Sequence, residues 1–322
     1  MSKLFSIGEA LIDFIPEETG KEIKNISGFQ PKCGGAPANV CGAFSKLGGE
    51  SEMITKLGDD PFGDKLVDAF EKFSIGHQYV KRTDEANTAL AFVSLKADGN
   101  REFSFYRNPS ADMLLRPEEV KEEWFGDCGI LHFCSVALAA EPMRSAHDKA
   151  IECARKNGAM ISFDPNLRFP LWKDKQALRE TVCAYIPKAD IVKISDEELS
   201  FINGEEAGLE YSEQQTDEAI RKLFTGNVKL IVYTAGSKGA YAYTKNGKTF
   251  AASQKVDAVD TTGAGDGFIG SFLYQIHRDG IETEKLADTD LEVFKDYIAK
   301  SNDFCGKSVV LPGAIESYPT EI

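Results

Sequence analysis

Between Val256 and Asp266 the chain reads Val-Asp-Ala-Val-Asp-Thr-Thr-Gly-Ala-Gly-Asp, and an apolar run of helical character continues from Gly267 to Ile276. Small residues at Gly263, Ala264 and Gly265 let main-chain N–H groups crowd around an anion, and the positive end of the following helix points at the same spot. That is a candidate anion hole. A carboxylate at Asp266 inside such a hole repels a resting phosphate, so its use lies elsewhere: accepting the proton of an attacking hydroxyl. Phosphoryl transfer is the chemistry these residue types serve, with Asp266 as base and the donors of Gly263 to Asp266 sharing the developing charge. The helix dipole is expected to lower the Asp266 pKa.

Two other glycine patterns compete with this reading. Gly265, Gly267 and Gly270 formally satisfy the dinucleotide-binding G-x-G-x-x-G spacing, which should open a strand-turn-helix unit with a phosphate loop free of fixed negative charge. Here Asp260 and Asp266 flank the loop, and no strong apolar strand enters the first glycine. Gly247-Lys248-Thr249 resembles the tail of a P-loop, yet Ala242 stands where its first glycine is required. Both nucleotide patterns are set aside. A plain glycine turn capping a buried helix, with Asp266 placed by the dipole, is the remaining structural alternative.

The 322 residues carry 37 Lys and Arg against 51 Asp and Glu, a net charge of −14. Such a surface gives no general footprint for nucleic acid or anionic membrane, so any phosphate site must be local. The strand-like Leu4 to Ile7 leaves no room for a signal peptide before it, and the most apolar run, Gly129 to Ala140, is too short to span a bilayer. Cys33, Cys41, Cys128, Cys134, Cys153, Cys183 and Cys305 form no C-x-x-C pair, which argues against a zinc site or a disulfide framework. A soluble, cytoplasmic protein without nucleic-acid or membrane partners is the expectation.

The elements that must position these residues alternate between apolar strands and amphipathic helices. Strands are expected at Leu4 to Gly8, Glu52 to Leu57, Ile130 to Ser135, Met160 to Asp164, Ile191 to Ile194 and Leu230 to Thr234. Helical periodicity marks Ala38 to Leu47, Pro61 to Phe73, Pro142 to Asn157, Lys175 to Ile186 and Asp217 to Phe224. This alternation predicts an α/β fold with a doubly wound, mostly parallel sheet covered on both faces. Two hairpins break the rhythm: Thr88 to Leu95 with Glu102 to Arg107 around an Asp-Gly turn at 96–100, and Tyr241 to Thr244 with Thr249 to Ala252 around Asn246-Gly247. With the extended stretch Ile12 to Pro31, the first suggests a small β-sheet lid standing over a site.

Four further segments complete a recognisable set: Gly8-Glu9-Ala10-Leu11-Ile12-Asp13-Phe14, Gly34-Gly35-Ala36-Pro37-Ala38-Asn39, Phe105-Tyr106-Arg107-Asn108-Pro109-Ser110-Ala111-Asp112 and Asp164-Pro165-Asn166-Leu167-Arg168. In this order, and with the Asp260 to Asp266 loop, the chain resembles the ribokinase-like (phosphofructokinase-B type) carbohydrate kinases over essentially its whole length, and among them the plant-type fructokinases. The resemblance implies a single kinase domain of residues 1–322, with a Rossmann-like core and lid segments at about 12–35 and 87–112. ATP is the implied donor, with Mg2+ as its companion ion and K+ as an activating cation.

The resemblance also assigns residues. Asp13, Gly34, Gly35 and Asn39 correspond to the sugar pocket, where directional donors and acceptors must meet uncharged hydroxyls. Arg107, at the end of the lid hairpin, is expected to reach across the cleft toward substrate or product phosphate, and Arg168 to stabilise the transferring group. Lys193 and the loop containing Thr234, Gly236 and Gly239 are implied nucleotide contacts, Glu198 is implied to face magnesium through water, and Asp260 and Thr262 correspond to a monovalent-cation site. Ser195 stands where many relatives have asparagine. 2-Keto-3-deoxygluconate calls for additional cationic residues and Arg107 alone is ambiguous, so it is the fructokinase-like phrases Ala-Leu-Ile-Asp-Phe and Asn-Pro-Ser-Ala-Asp that favour fructose; catalysis is favoured over a non-catalytic sugar sensor, which could do without Asp266. The lid sheet invites a homodimer.

Overall fold

The computed structural model describes residues 2–18, 20–95 and 101–322. The first half of the chain supplies β1 (Lys3–Ile7), β2 (Leu11–Pro16), β3 (Phe29–Gly34), β4 (Ser51–Gly58), β5 (Ile75–Gly76), β6 (Val80–Thr83), β7 (Ala89–Leu95), β8 (Arg101–Tyr106) and β9 (Cys128–Cys134). The second half adds β10 (Met160–Asp164), β11 (Ile191–Ser195), β12 (Leu230–Thr234), β13 (Ala240–Thr244) and β14 (Gly247–Ala251). The α-helices are α1 (Ala36–Lys46), α2 (Pro61–Lys72), α3 (Met143–Lys156), α4 (Lys175–Tyr185), α5 (Asp196–Ile202), α6 (Glu213–Arg221), α7 (Ala264–Arg278) and α8 (Leu291–Ser308).

The large sheet runs β14-β13-β12-β11-β10-β9-β1-β4-β5, with β6 also paired to β4, and it is parallel except where β13 and β14 return antiparallel at one edge. Alternation along β12 shows why both faces are covered. Ile231 and Tyr233 join the core beneath α3 to α6, while Leu230 and Val232 join the core beneath α1, α7 and α8. A separate four-stranded sheet, β3-β2-β7-β8, carries the first expected hairpin; its turn at 96–100 lies outside the described residues. In the second hairpin Thr244 pairs with Gly247, so the two turn residues are Lys245 and Asn246 and the glycine begins a strand.

Two helix readings need correction. The helix expected from Asp217 begins at Glu213, because Ser212 and Gln215 form a capping box there. Helices α5 and α8 were not expected at all. Short α5 is announced by the capping pair Ser195 and Glu198 rather than by any apolar stripe.

The decoy glycines turn out to be packing positions. A Cβ on Gly270 would lie 2.7 Å from Ala43 Cβ and 2.9 Å from Val40 O, so α7 and α1 touch nearly backbone to backbone. One on Gly267 would meet the Tyr318 ring at 2.9 Å. Close packing of α1 on α7 aligns their N-termini at the same side of the sheet. Among the described residues no helix is long and apolar enough to cross a membrane.

Candidate active site

Asp266 lies in the first turn of α7, whose N-cap Gly263 adopts a left-handed conformation at φ 71°. Its two carboxylate oxygens are held by two amides: Asn39 Nδ2 donates to Oδ2 and Asn166 Nδ2 donates to Oδ1, each at 2.9 Å. Asn39 comes from the first turns of α1, entered through Gly35 at φ 107°, and Asn166 from the loop after β10, itself at φ 43°. The remaining oxygens of both amides are buried and without a hydrogen-bond partner among the described residues.

The expected effect of the helix dipole on Asp266 is overturned. Burial pushes its pKa above the usual aspartate value, and the Asn39 bond, Arg168, Lys193 and the Asn166 bond only partly oppose it. The side chain is therefore a stronger base than a surface aspartate, which suits proton acceptance.

A cleft of about 880 Å3 runs through this point. On one side are Gly263, Ala264 and Gly265, with Lys193, Arg168 and Glu198. The Ala264 N–H is taken by Thr261 O at 3.2 Å, leaving the first-turn N–H groups of Gly265 and Asp266 as the helix-end donors of the hole. Lys193, on β11, lies 3.2 Å from Asp164 and so close to α7 that a Cβ on Gly265 would be 3.3 Å from its ammonium. Burial works to lower the Lys193 pKa, but the Asp164, Glu198 and Asp266 carboxylates outweigh it and hold the ammonium charged. Arg168 is half-exposed and donates to the Leu167 carbonyl at 2.9 Å, within the cleft wall.

Several expected contacts take other roles. Glu198 lines the cleft, yet its oxygens accept the N–H groups of Leu167 at 3.0 Å and Ser195 at 2.8 Å, joining the Asn166 loop to the start of α5. In the loop after β12 it is Ala235 and Lys238 that line the cleft, not Thr234, Gly236 or Gly239. Gly239 instead packs where a Cβ would sit 2.3 Å from Ala251 O. Asp260 is outside the cleft lining: its Oδ1 accepts both the N–H and the hydroxyl of Thr262 at 2.9 and 2.6 Å, and its Oδ2 accepts the Gly313 N–H at 2.9 Å. Thr262 does line it. Among the described residues no group of three or more His, Cys, Asp or Glu side chains could hold a metal ion.

The other end of the cleft lies under the small sheet. Asp13, Gly35, Asn39 and Glu9 line it, with an apolar wall from Leu11, Val93, Phe103 and Phe105. A Cβ on Gly34 would fall 2.1 Å from Asp13 Oδ2, so a side chain there would displace the Asp13 carboxylate. Arg107 does not reach across the cleft as expected. It is buried, ion-paired with buried Asp112 and directed toward the Val136 carbonyl. One N–H of the Asn39 amide is given to Asp266, which leaves its second N–H and its oxygen for a ligand.

A family model for pfkB carbohydrate kinases matches residues 1–289. The chain belongs to the pfkB family. Among curated relatives it is 43% identical to a probable fructokinase-2 from Arabidopsis thaliana over 317 residues, 98% of this chain and 92% of that protein. Among solved structures it is similar to a fructokinase with bound ATP from Xylella fastidiosa, at TM-score 0.88 and 31% identity over 99% of this chain and 96% of the other. A double-mutant fructokinase from Vibrio cholerae O395 in a fructose-, ADP- and potassium-bound form is similar at TM-score 0.85 and 31% identity, with coverages of 99% and 96%. The pfkB fold thus accounts for both sheets.

Three sets of residues in this pfkB chain were not assigned from sequence. Asn166 and Glu9 stood inside quoted motifs, each just after an expected strand, without a role of their own. Exposed apolar side chains of Val256, Val259, Val310 and Leu311 form the third set. The segments carrying Val259 and Val310 meet where the Val259 and Asp260 N–H groups both bond Val309 O, and Val256 lies against Gly306 of α8.

Proposed function

We propose that this chain is an ATP-dependent fructokinase, moving the γ-phosphoryl group of ATP to a hydroxyl of D-fructose and giving fructose 6-phosphate. The observation that carries the reading is the Asp266 carboxylate, buried at a helix N-terminus between two amides, with Asp13 and Glu9 toward one end of the cleft and Lys193 and Arg168 toward the other. Fructokinases among the relatives, one of them holding ATP and another fructose with ADP and potassium, support it.

The sugar lies at the Asp13 end with its reacting hydroxyl at Asp266, and the triphosphate at the Lys193 end. Asp266 takes the hydroxyl proton as the oxygen meets phosphorus. A loose transition state asks little of the base and much of positioning, which the two amides supply. Charge gathering on the transferred group is met by the Gly265 and Asp266 N–H groups, by Lys193 and by Arg168, which exchanges its Leu167 carbonyl for phosphate. Glu198, with Asp164 also beside Lys193, would hold magnesium through water, and the ion would neutralise phosphate charge. The Asp260–Thr262 turn is the proposed place for a potassium ion. The adenine ring rests on Val259, Val310 and Leu311.

We propose that residues 1–322 work as one kinase domain, with segments 12–35 and 87–112 as the lid whose apolar wall excludes water, which otherwise competes as nucleophile. Two copies pair through the outer face of this lid. A neutral ketose is favoured over 2-keto-3-deoxygluconate because the sugar end is lined by Asp13 and Glu9, and Arg107, the cation nearest to that role, is already committed to Asp112. A coupled assay of ATP turnover with fructose, ribose, adenosine, glucose and 2-keto-3-deoxygluconate tests this. Fructose is expected to give the highest kcat/KM; preferential turnover of the sugar acid would refute the assignment.

A further inference from the structure

The mechanism above makes no use of one acid at the sugar end. Glu9 follows β1, is only 2% exposed, and still lines the cleft. Its Oε1 accepts the N–H of Ala36, the first residue of α1, at 3.1 Å. Oε2 is buried and has no hydrogen-bond partner among the described residues. A buried carboxylate oxygen left without a donor is costly, and here it sits where hydroxyls of a ligand can reach it.

The surroundings keep that oxygen available. Arg107 at the end of β8 is the nearest cation, but Asp112 on the turn after it already pairs with the guanidinium. Cys134 at the end of β9 faces Glu9 from the sheet, and Asp13 and Asp266 line the same cleft from β2 and α7. Main-chain atoms press in from the remaining side, since a Cβ on Gly35 would lie 2.5 Å from Glu9 O. The side chain is thus fixed by its backbone and by Ala36, with one carboxylate oxygen left unpartnered beside the cleft. Burial pushes the acid up to about 7, with Arg107 pulling against it and Asp112 adding to it.

We propose that Glu9 is a specificity-determining residue of the sugar site, its Oε2 accepting a hydrogen bond from a hydroxyl of the bound ketose other than the one phosphorylated. This rests on the reading of that cleft end as the sugar site. A site built to bond a hydroxyl rejects analogues lacking it far more strongly than an apolar wall does. Because the contact is the same in ground state and transition state, its loss acts on KM and spares kcat.

The test compares wild type, Glu9→Gln and Glu9→Ala in steady-state kinetics with fructose and ATP varied, and in thermal melting with each ligand alone. Gln keeps the acceptor for Ala36 and places a donor where Oε2 was, so it isolates the proposed contact from folding. The KM for fructose is expected to rise about 10- to 100-fold in Glu9→Gln, as for loss of a hydrogen bond to a charged group, with kcat within about threefold. The KM for ATP stays unchanged, and ATP but not fructose still raises the melting temperature. In wild type the ionised acid is the better acceptor, so KM for fructose rises as pH falls through about 7, a dependence that Glu9→Gln lacks. A KM for fructose in Glu9→Gln within twofold of wild type, or a loss confined to kcat, overturns the proposal. Wild-type protein that turns over no fructose removes the reading of the cleft first, and the role of Glu9 falls with it.

Discussion

At the residue scale, the proposed base Asp266 has its proton affinity set by burial on one side and by Asn39, Arg168, Lys193 and Asn166 on the other, influences that can be removed one at a time. Asp266→Asn keeps the shape of the side chain but cannot take a proton, and it trades one of the two acceptors of the amide clamp for a donor, so kcat is expected to fall about 10²- to 10⁴-fold while ATP affinity survives. Turnover near the wild-type rate, measured by ADP release, would remove Asp266 from the chemistry. Its raised pKa also has a consequence for pH. The base works ionised, so kcat falls as pH drops through that pKa, and the acid limb lies above the 3.8 of an ordinary aspartate. Asn166 lowers this pKa by donating to the carboxylate. Asn166→Ala is therefore expected to move the acid limb of kcat to higher pH as well as to reduce kcat, whereas a change that merely loosened the loop would leave the limb in place. The place of Asp266 at a helix start in the cleft was legible in the sequence, because an acid following Gly-Ala-Gly has few uses. Its amide clamp was not, since Asn39 and Asn166 lie 227 and 100 residues from Asp266.

At the scale of elements, the clamp exists because α1 and α7 approach closely enough for Asn39 to reach across. Gly270 permits that approach. Gly270→Ala gains helix propensity of up to about 1 kcal/mol, but its Cβ meets Ala43 and the Val40 carbonyl, neither of which is a flexible side-chain end. Overpacking of this kind costs about 1–3 kcal/mol, so a lower urea midpoint together with a lower kcat is expected. A midpoint at or above wild type would show that the helices part without strain. The loop before α7 has its own test. Asp260 uses its carboxylate to fold the turn onto Thr262 and Gly313, so a potassium ion there would steady the anion hole without touching substrate. Replacing potassium by a large organic cation is expected to reduce kcat severalfold, and equal rates in both would exclude that site. Strands such as β10 to β12 were readable because full burial leaves continuous apolar runs. Helix α8 escaped notice because its buried residues, Phe294, Tyr297, Ile298, Ser301, Asn302 and Phe304, include polar ones that blur the stripe. Arg107 was misread for a similar reason: a sequence shows an arginine after a strand, and the acid five residues later that captures it is visible only once the chain turns back.

For the molecule as a whole, pairing through the lid must overcome like charge. Each chain carries −14, so two copies repel, and attraction has to come from the face of the small sheet turned away from the cleft. On that face Phe14 and Phe92 stack at 4.6 Å, Phe29 and Tyr106 pack edge-on against Phe92, and Tyr106 remains 63% exposed. Alternation along β7 and β8 sends Val93, Phe103 and Phe105 to the cleft instead, so the two faces of one sheet have separate tasks. Pairing through this exposed aromatic would couple to catalysis, since a partner that steadied the sheet would also steady the cleft wall on its other face. Tyr106→Glu adds a charge on each side of such an interface. It is expected to leave the melting temperature of the monomer within a few degrees, to shift the protein to the monomer in sedimentation, and to raise KM for fructose more than KM for ATP. Raising the ionic strength from roughly 0.01 to 1 M shortens the screening length about tenfold and should strengthen wild-type pairing, the reverse of what an interface built on ion pairs would do. A wild-type protein that sediments as a monomer at every salt concentration would show that the aromatic face does not hold a second copy, leaving the lid to close the cleft alone.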